Sequence, residues 1–158
     1  MEFEKIQTIE KIGKNRERLL ELEKTGNYVF HGSQSIIEIL EPRQAGGHSD
    51  ETGKWEDDGK PAVFATPYAD LAIFRSLIND KDFENKFGMK GDGWYVTVDK
   101  KLIERAKDRI GKVYVLDKSK FNPDSFIGIQ CRSEESVIPL EVIEVNIDDL
   151  PKDIEIVE

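Results

Sequence analysis

Tyr28-Val29-Phe30-His31-Gly32-Ser33 decides how the rest of this chain is read. With Asn27 before it, the run is aromatic and β-branched up to His31, the composition of a strand, and Gly32-Ser33 closes it as a tight turn. A histidine at a strand end can donate to a sugar hydroxyl. A glycine beside it lets a backbone N–H and C=O come close enough to a flat ligand to pair with a carboxamide, and Ser33 adds a hydroxyl. The plain alternative is a partly buried strand histidine followed by an ordinary turn.

Upstream, residues 4–25 are highly charged, with Ile6, Ile9, Ile12, Leu19, Leu20 and Leu22 at roughly helical intervals and Gly13 interrupting them. Asn15 as N-cap and Thr25-Gly26 as stop signal predict a helix over 16–24. Downstream, Ser35 to Leu40 is expected to form a short helix. Pro42 to Pro61 holds four glycines, five acidic residues and Trp55 without periodicity, which predicts a long loop, either a lid or binding loop or a disordered one.

Val63-Phe64-Ala65 reads as a buried strand entering a helix, with Thr66 as N-cap, Pro67 at the first helical position and Leu71, Ala72, Phe74, Leu77 and Ile78 as the apolar face. After Asn79 the chain turns polar, with Gly88, Gly91 and Gly93. The second half then reads as mostly β: Trp94 to Val98, Val113 to Leu116, Phe126 to Cys131 and Val137 to Ile147, where Pro139 forces a kink, a bulge or an edge position.

Length and composition exclude several classes of function. The 158 residues amount to one domain, and 38% hydrophobic residues suffice for a core. A net charge of −9 argues against broad binding to DNA or anionic lipid. The charge is polarised, however: residues 100–120 carry +5 and residues 134–158 carry −8, so a phosphate-bearing ligand favours the first region. A single cysteine excludes an internal disulfide, and His31, His48 and Cys131 lack the spacing of zinc ligands. Asp50, Glu51, Glu56, Asp57 and Asp58 lack the spacing of a calcium loop. With no apolar run near 18 residues and no leader-like start, the expectation is a cytoplasmic protein with neither metal nor membrane.

Order and spacing add to this. Tyr28 to Ser33, then Leu40-Glu-Pro-Arg, then Val63-Phe-Ala-Thr-Pro with a helix carrying Ala72, and last Ile129-Gln-Cys-Arg-Ser-Glu-Glu-Ser-Val-Ile-Pro together resemble the ADP-ribosyltransferase family. The poly(ADP-ribose) polymerase-like branch is nearer than the related RNA 2′-phosphotransferases. The resemblance spans residues 28–147 of one domain covering 1–158, with 1–26 as a helical N-terminal segment. It implies an α+β chain with a split mixed fold, two antiparallel sheets around an NAD cleft and N-terminal helices.

The resemblance also implies the roles of individual residues. His31 would hold the adenosine-side ribose, the backbone of Gly32 would pair with the nicotinamide carboxamide, and Ser33 and Thr66 would flank them. Phe64 lies in the strand where the family carries a ring that stacks on nicotinamide; its tyrosine is replaced by Val63 unless Tyr68 serves instead. Apart from the resemblance, Arg43, just after Pro42 and opening the long loop, can clamp a pyrophosphate bidentately; the plain alternative is a solvated loop arginine. Gln130, nine residues before Pro139, stands where the family places a catalytic glutamate, and Glu134, Glu135 and Glu141 are the competing carboxylates, with Glu141 taken beside Gln130 as a catalytic candidate. The implied activity is NAD-dependent glycosyl transfer of ADP-ribose to a protein or nucleic-acid acceptor that the sequence does not specify. The alternatives are a non-catalytic domain binding NAD, ADP-ribose or a protein, and an RNA 2′-phosphotransferase-like enzyme.

Overall fold

Helix α1 (Lys14–Thr25) ends where a left-handed residue is required: Gly26 has φ +74, and its N–H reaches the Glu23 carbonyl at 3.1 Å. The computed structural model describes residues 14–43, 46–48, 55–57, 61–78, 85–90, 93–123, 130–150 and 155–157. Ile6, Ile9, Ile12 and residues 126–129 of the strand expected over Phe126 to Cys131 lie outside these. Asn15 stands inside the helix rather than at its cap, and its Nδ2 donates to the Glu144 carbonyl at 2.6 Å.

Strand β1 (Tyr28–Ser33) runs through Gly32-Ser33 instead of turning there. Next come β2 (Gly46–His48) and β3 (Trp55–Asp57), which pair antiparallel inside the segment expected to be a structureless loop. Three-residue strands close by backbone bonds alone, so no alternating side-chain pattern announces them. Strand β4 (Val63–Ala65) leads to α2 (Ala69–Leu77), and β5 (Asn85–Lys90) pairs antiparallel with β6 (Gly93–Asp99). Helix α3 (Lys100–Ala106), unexpected in a half read as β, buries only Leu102 and Ala106. After it come β7 (Gly111–Asp117), β8 (Asn122–Pro123), β9 (Cys131–Ser133), β10 (Glu141–Val145) and β11 (Glu155–Val157). The strand expected from Val137 is thus shortened to begin beyond Pro139.

The chain is an α+β protein with three helices among the described residues. Two antiparallel three-stranded sheets organise it, ordered β1-β7-β10 and β4-β9-β8; β11 pairs parallel with β6 at the edge of the β5–β6 hairpin. Central β7 is buried along most of its length, with β1 and β10 antiparallel on either side. Alternation splits β1 between two cores. Phe30 joins Leu71, Phe74, Leu77, Val113 and Val115 under α1 and α2, whereas Val29 joins Val63, Ala65, Tyr114 and Leu116 between the two sheets.

Helix α2 is capped from a distance. Tyr68 is its N-cap residue but makes no side-chain bond; Glu23 of α1 supplies the acceptor, taking the Ala69 N–H at 2.6 Å. Burial pushes the Glu23 carboxyl up, and that same N–H works against the rise. Arg16 adds a bidentate pair to Asp70 at 2.8 and 2.9 Å, so one accepted and two donated bonds seat α1 on the first turn of α2. Thr66, expected as the cap, is instead in a backbone pair with Phe30.

The expected helix over Ser35 to Leu40 is absent. Its backbone groups have tertiary partners: Ile37 N–H donates to the Tyr114 hydroxyl, that hydroxyl donates to Ser35 C=O, and Leu40 exchanges both bonds with Val137 at 2.9 Å. These replace the bonds a helix would make.

Candidate functional site

The two sheets meet at their edge strands, β1 and β4, through one backbone pair. Phe30 N–H donates to Thr66 C=O and Thr66 N–H to Phe30 C=O, both at 2.8 Å. A continued antiparallel ladder would next pair Gly32 with Phe64. It does not: His31 Nδ1 sits 2.7 Å from Phe64 C=O and occupies the acceptor that Gly32 N–H would have used. Beyond Phe30 the strands part, and the space between and above them forms two cavities.

The larger cavity, of about 630 Å³, is walled by His31, Ser33, Phe64, Val63, Ala62, Arg43 and the 35–41 segment. The smaller, of about 150 Å³, lies on the α2 side among Phe30, His31, Gly32, Phe64, Ala65, Thr66, Ala72 and Arg75. His31 and Phe64 belong to both. The expected neighbourhood of 28–33 and 62–66 is therefore present, and His31, Gly32, Ser33, Arg43, Phe64 and Thr66 gather around it.

Burial, followed by the charges of Arg75 and Arg43, holds the His31 pKa below its ordinary value; the Phe64 bond opposes this. The imidazole is consequently neutral at pH 7. A carbonyl can only accept, so Nδ1 carries the proton and Nε2 keeps a lone pair. The ring thus offers a ligand an acceptor, where the sequence suggested a donor. Tyr114, directly opposite on β7, flanks the imidazole with ring centroids 6.3 Å apart.

The glycine has a different cause from the one expected. A Cβ at Gly32 would lie 2.1 Å from the Ala72 carbonyl oxygen and 2.9 Å from Ser76 N, so the missing side chain is what lets the α2 backbone press on β1. Its N–H and C=O, like those of Phe30, point along the sheet toward the β4 side, into the opening.

Phe64 is half-buried, and the Arg132 guanidinium sits 5.4 Å from its ring centroid, across the β4–β9 ladder. Cys131 faces the core and its thiol donates to Ala65 C=O at 3.4 Å. Gln130 directly precedes β9, one position past the Ala65–Cys131 pair; it is half-buried and contributes to neither cavity wall.

Two further expected site residues, besides Gln130, stand elsewhere. Glu141 pairs with Val115, whose side chain shares a face with Phe30, so it lies on the helix side of the sheet while His31 lies on the other. There it binds Arg18 of α1 at 2.8 and 3.0 Å. Tyr68 packs against the helix-side core and reaches neither cavity. The carboxylates that do wall the larger cavity are Glu38 and Glu41, both exposed.

The sequence reading missed Arg75 and Tyr114. Arg75 enters the smaller cavity only because Gly32 lets α2 come close, and burial lowers its pKa. Tyr114 is 1% exposed, and its hydroxyl fixes Ser35 and Ile37 in the wall of the larger cavity. Neither carries a local signal, since both depend on pairings distant in sequence.

Among the described residues no helix is long and apolar enough to cross a membrane, and no cluster of three His, Cys, Asp or Glu side chains could hold a metal ion. Comparison with protein families, with curated proteins and with solved structures returned no match.

Proposed function

We propose that the opening between β1 and β4 binds NAD, in a split fold of the ADP-ribosyltransferase type. The observation that carries this reading is the interrupted ladder. Past Phe30 and Thr66, Gly32 directs an N–H and a C=O into a space where a strand would have met them, with an aromatic ring, Phe64, at its side. A primary carboxamide accepts one bond and donates the other, so nicotinamide fits as the missing strand partner. Nε2 of His31 accepts from a ribose hydroxyl, and Arg43 on the rim supplies positive charge for a pyrophosphate. A cavity near 630 Å³ is of a size that takes such ligands.

The chemistry that follows is rupture of the nicotinamide–ribose bond. The electron pair leaves with nicotinamide, positive charge grows on the anomeric carbon, and an acceptor oxygen or nitrogen adds to it with loss of its proton. Alignment and electrostatic stabilisation govern such steps. Gln130, the position the resemblance makes catalytic, lies outside both cavity walls and carries no charge, and Glu141 faces the wrong side of the sheet. That placement favours a second reading, in which the cleft holds NAD or ADP-ribose with little or no turnover.

Titration calorimetry with NAD and with ADP-ribose, beside an assay for released nicotinamide, tests both readings. NAD is expected to bind, with His31→Ala and Phe64→Ala each weakening it by about tenfold, near 1.4 kcal/mol. Release of nicotinamide is expected to be slow and to rise in Gln130→Glu. Binding without release in either protein selects the second reading, and no binding of either ligand overturns both.

A further inference from the structure

Six large hydrophobic side chains are exposed among the described residues, and five of them fall in two short segments: Ile36 (84%) and Ile39 in the first, Ile138 (70%), Leu140 and Val142 in the second. The segments touch. The mutual bonds of Leu40 and Val137 set Ile39 across from Ile138, and Tyr114, which holds Ser35 and Ile37 through its hydroxyl, is the cross-strand neighbour of Val142. Apolar side chains concentrated in this way mark interaction surfaces, whereas single exposed ones need no explanation.

Charge identifies what covers the patch. Glu38, Glu41, Glu134 and Glu135, all exposed, stand in or beside the two segments, and Arg43 is the sole cation in residues 34–43 and 133–142. Glu141 lies on the opposite face by the register of β10, and pairs there with Arg18. Four glutamates beside an apolar centre repel anionic lipid, and they repel the same patch on a second copy of this chain. They attract apolar side chains flanked by lysine or arginine.

We propose that this surface docks a segment of a partner protein in which apolar residues alternate with basic ones. The 36–41 segment also walls the larger cavity, so the docked segment lies at its mouth. If the cavity holds NAD, that segment is the acceptor for ADP-ribose; this last step rests on the proposed function, and the docking does not.

The test is made without NAD, which keeps a failure of docking distinct from a failure of the NAD reading. Fluorescence anisotropy is measured with three short labelled peptides, alternating leucine with lysine, leucine with glutamate, and serine with lysine. Only the first is expected to bind, at least about tenfold more tightly than the others. Ile138→Ser/Leu140→Ser, at positions outside both cavities, is expected to reduce that binding by about tenfold or more, and Glu134→Gln/Glu135→Gln by about threefold. Val142→Thr serves as a milder variant should the double substitution unfold. Equal binding of the serine–lysine peptide, indifference to all three variants, self-association in sedimentation that Ile138→Ser/Leu140→Ser abolishes, or binding to anionic vesicles would each overturn the proposal.

Discussion

The two faces of β1 obey different rules. On the helix side, Phe30 is fully buried among aliphatic neighbours and Gly32 meets α2 with no room for a methyl group. On the other side, past buried Val29, His31 and Ser33 are half-buried and border a cavity. Packing explains residues 30 and 32 completely. At 31 and 33 hydrogen bonds stand where packing stands at 30 and 32: His31 donates to Phe64 C=O and the Ser33 hydroxyl accepts from Ser35 N–H, so that difference separates residues held by the core from residues that border the opening.

Substitution on both faces can break this division. Phe30→Ala should be the costliest, about 4 kcal/mol in denaturant unfolding, as for other fully buried aromatics. Gly32→Ala should follow at about 3 kcal/mol, because its Cβ meets backbone rather than a side chain that can swing away. By contrast, His31→Ala should cost under about 1.5 kcal/mol, the worth of its one hydrogen bond. A loss at His31 equal to that at Phe30 would mean that the cavity face is structural after all.

A smaller effect sharpens the comparison. The folded His31 pKa lies below the unfolded value near 6.5, so the unfolded chain takes up a proton first as pH falls. Stability from this group is therefore complete above about pH 6.5, declines below it, and levels off once pH passes the folded pKa. Urea midpoints measured across this window should fall more steeply in wild type than in His31→Gln. Parallel profiles would show that burial and the two arginines leave the imidazole undisturbed.

How much of this was legible in the sequence follows from how local each signal is. The end of α1 at Gly26, the cores of β1, β4 and β7 and the apolar run of α2 are written in neighbouring residues, and the structure has them. Ser35 to Leu40 has helical spacing as well, but Tyr114 and Val137 outcompete the helix from 77 and 97 residues away. The cap of α2 comes from Glu23 rather than from the adjacent Thr66, for the same reason. At the site, the strand patterns brought His31 and Phe64 to attention, and the structure sets them side by side. Which face Glu141 occupies depends on the register of β10 against β7, and no spacing along the chain encodes that.

The single pair between β1 and β4 has a mechanical consequence. A long ladder would lock the two sheets as one plate, but among the described residues the backbone joins them only at Phe30 and Thr66, with the His31–Phe64 bond just beyond. With so few backbone bonds across the seam, side-chain packing holds the sheets at their angle: Val29, Tyr114 and Leu116 of one lie against Val63, Ala65 and Cys131 of the other. The width of the opening is thus written in the volumes of these shared core residues, while the rungs within each sheet have no part in it.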